Sequence, residues 1–126
     1  MLILRQNGNA SLYGKLQACE VEVQVLSGCD FVFEENYNLI SLQKRKAIVL
    51  KQKHLQNIKP AADMEANGAG IGSTTMGILQ NVEEHEKYLY NHDERIELLE
   101  KENKEQKALI DKLMKELESL KLKRKN

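Results

Sequence analysis

Between Thr74 and Lys123 the chain has no proline, and Gly77 is its only glycine. A run of about fifty residues with almost none of the residues that stop a helix predicts one helix of roughly 75 Å, at 1.5 Å per residue. No domain built from the rest of a 126-residue chain covers a rod that long. Such a helix needs partners, and its apolar pattern says on which face they sit.

With Val82 as heptad position a, the a positions are Val82, Leu89, Ile96, Asn103, Ile110 and Leu117. The d positions are His85, His92, Leu99, Gln106, Leu113 and Leu120. The seven-residue repeat runs without a stutter, which predicts a left-handed coiled coil. In a parallel, in-register coil, position g of one heptad meets e of the next on the neighbouring chain. Arg95 then faces Glu100, Glu102 faces Lys107, and Glu116 faces Lys121, all attractive pairs. Leu109 meets Met114, an apolar pair that widens the seam. β-branched residues at a with Leu at d suit two strands. The widened seam and the polar layers at His85, His92, Asn103 and Gln106 suit a wider axis. The pattern favours three strands and leaves two open.

Two of the three histidines, His85 and His92, stand seven residues apart in "HEKYLYNH". They lie on successive d layers, about 10 Å apart along the axis, too far to share one ion. HExxH is absent, because Leu89, between Tyr88 and Tyr90, stands where its second histidine would be. The expected role is a hydrated polar core layer that responds to mild acid through like-charge repulsion. Three symmetry-related copies of one histidine around an axis are the remaining route to a metal, and none is expected here.

The first part of the chain reads as short strands. "LILRQNGNASLYGKL" has an apolar start, a turn signal at Asn7-Gly8-Asn9 and a second candidate strand around Leu12–Leu16. "ACEVEVQVL" alternates, with Cys19, Val21, Val23 and Val25 on one face, as a half-buried strand does. "FVF" at 31–33 reads as another extended piece. Ser41 is placed to cap a short helix over "LQKRKAIVLKQKHL", with Leu42, Ile48, Val49 and Leu55 as its apolar face and Arg45 with the lysines on a solvated face. Pro60 sets off "AADMEAN" as one or two helical turns. "NGAGIGST" is a glycine-rich joint without the GK[ST] ending of a phosphate loop. Ser73 or Thr74 is the expected cap of the long helix.

Nineteen basic and nineteen acidic residues give zero formal charge, so no net field favours nucleic acid or a membrane. The cations of "KLKRKN" at 121–126 complement a helix C-terminus and lie at the wrong end for a basic zipper. The opening Met1 suggests a complete chain, and its four-residue apolar start is too short for a secretory signal. Cys19 and Cys29 form no CxxC and are expected as reduced thiols, with a disulfide between them the lesser reading. None of Ser11, Ser27, Ser41, Ser73 and Ser119 has a base partner in a nucleophile context. No enzymatic activity and no cofactor are expected.

Four segments resemble a family. "GNASLYGKLQACEVEV", "CDFVFEENYNLISLQ", "KHLQNIKPAADMEANG" and "ILQNVEEHEKYLYNHDERIELLEKENK" follow one another across residues 8–122. Their order resembles the C-terminal ends of fibre-like proteins of Bacteroides-type bacteria and their phages. There, a short β region and a short helix lead to a long coiled coil. Gln56 and Lys59 stand where that family tends to have prolines, His85 where leucine is usual, His92 where Gln or Asn is usual, and Arg45 where a residue is apolar. The resemblance implies a trimer.

The expected fold is an elongated α+β chain. A β-strand region at 1–40 serves attachment or trimerisation, a short helix and joint span 41–72, and a helix over 73–126 forms a parallel homotrimeric coiled coil. The expected function is a non-enzymatic virion protein, a head or tail fibre or fibre adaptor on the phage surface. Its partners are its own copies and a capsid or tail protein at one end, with neither nucleic acid nor membrane. A self-cleaving chaperone domain of a phage spike and a bacterial surface-stalk end are the alternatives.

Overall fold

The computed structural model describes residues 1–25, 27–28 and 30–126. The chain is mostly helical. Strands β1 (Leu2–Leu4) and β2 (Ala10–Leu12) precede a 3-10 turn at Asp30–Phe33. Helices α1 (Leu42–Gln52), α2 (Ala61–Asn67) and α3 (Ile71–Lys125) follow. At 1.5 Å per residue the 55 residues of α3 span about 80 Å.

β1 and β2 pair antiparallel, with Leu2 opposite Leu12 and Leu4 opposite Ala10. The turn forms at the expected Asn7-Gly8-Asn9, where Gly8 takes a positive φ of 84° and Asn7 Oδ1 accepts from the Asn9 amide at 3.1 Å. β2 ends at Leu12, short of the expected Leu16. The expected strand over 19–25 does not form. Within one chain it has no strand to pair with, and alternation without a ladder leaves it irregular. Val23 and Val25 instead lie beside Gly72 at the start of α3. Cys19 is a free, exposed thiol; Cys29, and any pairing of the two, lies outside the described residues. The segment at 31–33 belongs to the 3-10 turn rather than to an extended piece.

Ser41 caps α1, its Oγ accepting from the Lys44 amide at 3.3 Å. The helix stops at Lys53, which takes a left-handed conformation and donates its N–H to the Val49 carbonyl at 2.8 Å. Pro60 precedes α2, as expected, and α2 makes two turns. The long helix begins three residues before Thr74. Gly70 holds its N-cap position, and Ser73, an expected cap, donates its hydroxyl back to the Gly70 carbonyl at 3.2 Å.

The only fully buried large side chain among the described residues is Val32. Tyr88 is the other buried apolar residue, and the remaining buried side chains are Arg45, Asn81, Glu83 and Glu84. Ile48 and Val49 are half-buried, while Leu42 and Leu55 are exposed. The collar formed by residues 30–60 is therefore held to α3 mainly by polar contacts. It ends at Tyr88, and from Tyr90 to Asn126 every residue is exposed.

Candidate functional site

At about 100° per residue, positions a and d of α3 share one narrow face. All twelve a and d residues from Val82 to Leu120 are exposed. The eight apolar ones range from 52% exposed at Leu99 to 63% at Leu120. Fully burying such a side chain stabilises by about 1.5–3 kcal/mol, so half-exposure of eight leaves on the order of 10 kcal/mol per chain unrealised. Arg95, Glu100, Glu102, Lys107, Glu116 and Lys121 flank this face, equally exposed and without ion-pair partners in their own chain.

The collar covers the other side. Gly77 and Glu84 are at c, Asn81 and Tyr88 at g, and Glu83 at b, and these are the buried residues of α3. Together with Gln80 and Lys87 at f they centre about 140° from the seam. Between Gly77 and Tyr88 this side of α3 carries the chain's own collar.

The contact between collar and helix is a hydrogen-bonded clasp. Arg45, expected on a solvated face, is 4% exposed. Its Nη1 donates to Glu84 Oε2 in a buried ion pair, and its Nη2 donates to Asn81 Oδ1 at 2.6 Å. The α1 face that carries Arg45 points at α3 because Ile48 and Val49, three and four residues on, are the half-buried residues of the same helix. Tyr37 Oη donates to Glu84 Oε1 at 2.5 Å, and Gln80 Nε2 donates to the same oxygen at 3.1 Å. Asn81 Nδ2 donates to the Gln56 carbonyl at 2.7 Å, while its Oδ1 also accepts from Asn57 Nδ2 at 3.2 Å. Tyr88 Oη donates to the Ile40 carbonyl at 2.6 Å, and the Arg45 guanidinium lies 5.9 Å from the Tyr88 ring centroid. Lys87 Nζ donates to the Val32 carbonyl at 2.9 Å and lies 5.4 Å from the Tyr37 ring.

Burial pushes the Glu84 carboxyl up, but hydrogen bonds from Tyr37, Arg45 and Gln80 and the Arg45 charge outweigh it and hold it below the usual carboxylate range. Burial, together with the adjacent Glu84, raises the Tyr37 phenol. Among the described buried side-chain oxygens and nitrogens, only Glu83 Oε2 lacks a hydrogen-bond partner. A polar contact this fully satisfied fixes orientation as well as adding stability.

Gly77 shows how close the two parts come. A Cβ built on it would stand 2.1 Å from the Asn57 carbonyl oxygen. Asn57 itself has a positive φ of 64°, which turns this loop onto the helix. Gly77, well inside the long helix, is thus a contact point with the collar, a use that its position in the sequence does not reveal.

Among the described residues no group of three His, Cys, Asp or Glu side chains is placed to hold a metal ion. No helix among the described residues is long and apolar enough to cross a membrane. The site is a bare apolar seam on one side of a long helix, locked in orientation by a polar clasp on the other. That defines a class in physical terms only, a collared helix with one unfilled face. Comparison with known protein families, with curated protein sequences and with solved structures finds no match to this chain.

Proposed function

We propose that this chain is a non-enzymatic structural protein of a phage particle, a homotrimeric head or tail fibre or fibre adaptor. Its shaft is a parallel coiled coil of three α3 helices. The observation that carries the reading is the pattern along α3: between Gly77 and Tyr88 its own chain buries residues at b, c and g, while every a and d residue from Val82 to Leu120, apolar at eight of twelve positions, is exposed. A collar clasped to the far side cannot swing round to fill the seam, so other chains fill it. The resemblance of four ordered segments to the ends of fibre-like proteins supports the phage setting.

In the trimer, Asn103 and Gln106 form polar layers that fix register, and His85 and His92 form two more near the collar. The pairs Arg95–Glu100, Glu102–Lys107 and Glu116–Lys121 between neighbouring chains select the parallel alignment. Each contributes only a few tenths of a kcal/mol at a solvated surface. The exposed Leu2, Leu4 and Tyr13 of the hairpin region offer apolar surface for a capsid or tail protein at the N-terminal end.

Size-exclusion chromatography with light scattering tests the assembly, with a trimer expected. A monomer at micromolar concentration overturns the reading. Mass spectrometry of purified virions tests the setting, with the intact chain expected among the structural proteins.

A further inference from the structure

Where the collar meets the seam, α1 and α3 enclose a groove. It is lined by Leu42, Gln43 and Lys46 of α1 and by Asn91, His92 and Arg95 of α3. Asn91 is at c, His92 at d and Arg95 at g, so the groove opens along the g edge and runs directly into the seam. Its charge is positive. Lys46 and Arg95 have no ion-pair partner in the chain, whose ion pairs among the described residues are Arg45–Glu84 and Lys59–Asp63. The first turn of α1 adds the positive end of its helix dipole.

In a parallel coil the g edge of one helix faces the e edge of the next, and Tyr88 at g meets position 93 of the neighbour. Tyr88 is already roofed by its own collar through Ile40 and Arg45. What arrives over that roof is Asp93 of the neighbouring copy. Asp93 is exposed and has no cation partner in its own chain. As an e residue it sits about 160° around α3 from the g edge, so it cannot reach its own chain's groove.

We infer that the groove is a docking site for a second copy of this chain, in which Lys46 on α1 pairs with Asp93 on the neighbouring α3. The collar then braces the adjacent chain as well as its own. This rests on the parallel assembly proposed above and adds an interface that the heptads alone do not contain. The opposite charges, and the continuity of the groove with the seam, single out a second copy as the occupant.

The test is a charge-reversal cycle on the full chain, with light scattering on every variant. Lys46→Glu and Asp93→Lys are each expected to lower the melting midpoint of the assembly by a few degrees. The doubly reversed chain is expected to recover most of the loss, with the recovery shrinking at high salt. Both side chains are exposed in the single chain, so neither change threatens the collar. The neutral pair Lys46→Gln and Asp93→Asn repeats the cycle without new repulsions. Additive effects in an intact oligomer overturn the brace and leave the shaft standing. A monomeric wild-type chain overturns both.

Discussion

Arg45 on α1 and Glu84 on α3 form an ion pair with both side chains more than nine-tenths buried, 39 residues apart in sequence. Taking two charges out of water is costly, and here the remaining valences of both are occupied by Asn81, Tyr37 and Gln80. Breaking such a pair from one side leaves the other charge buried and uncompensated. Arg45→Ala is expected to destabilise the collar by about 3–5 kcal/mol. Replacing both partners together, as Arg45→Met with Glu84→Leu, is expected to recover much of that. With no tryptophan in the chain, tyrosine fluorescence during chemical denaturation reports the collar through Tyr37 and Tyr88. Far-ultraviolet circular dichroism reports α3 separately.

The same pair makes the collar sensitive to acid. The folded pKa of Glu84 lies below its unfolded value, so the folded state binds this proton less readily. Its stabilisation is complete above the ordinary carboxylate range and is lost as pH falls through the folded pKa. The difference in midpoint between the wild-type chain and Glu84→Gln is therefore expected to be largest near neutral pH. It should shrink progressively below about pH 4.5. Thermal melts of both chains from neutral to strongly acidic buffer measure it, and a constant difference contradicts the assignment.

Gly77→Ala separates helix propensity from packing. In an exposed helix the change stabilises by about 1 kcal/mol. Here the new Cβ meets the Asn57 carbonyl at 2.1 Å, and a backbone atom has to move. The expected net result is a loss of about 1–3 kcal/mol in the collar, typical of an overpacked contact, with helix content unchanged. Hydrogen exchange across residues 53–60 reads the detachment directly.

Two titratable layers near the start of the shaft predict a second, milder acid response. His85 and His92 are exposed in the single chain and would come together around the axis of the proposed trimer. Protonating several imidazoles around that axis creates repulsion, and Lys46 and Arg95 beside His92 add to it. The assembly is expected to melt lower in mildly acidic than in neutral buffer, and His85→Leu with His92→Leu to remove the difference. A melting temperature that does not change with pH in the wild-type chain contradicts the layered core.

The long helix and its exposed stripe were legible because both are local and periodic, and so were the Ser41 cap, the Asn7-Gly8-Asn9 turn and the two turns after Pro60. The clasp was not. Arg45 sits among lysines in "LQKRKAIV", and nothing near it in sequence distinguishes it from a solvated cation. Its partners Asn81 and Glu84 lie in a stretch whose heptads explain Val82 and His85 and leave the residues between them without an assigned role. Gly77, the only glycine between Thr74 and Lys123, was a sequence signal whose meaning needed the position of Asn57. The alternating segment at 19–25 misled for the opposite reason. Val21, Val23 and Val25 satisfy the strand pattern, but a pattern supplies no neighbouring strand.

The placement of the collar sets an order of events during synthesis. Everything the clasp needs, from Tyr37 to Tyr88, exists before the distal half of α3 has been made. A growing chain can therefore close its collar alone, at a rate independent of how many copies are present. In the proposed trimer the seam beyond it is stabilised only when chains meet, and that step depends on concentration. By then the outward side of the proximal helix is occupied, and an arriving copy finds only the a and d side open there. In that assembly the early, unimolecular step acts as a template for the late, intermolecular one.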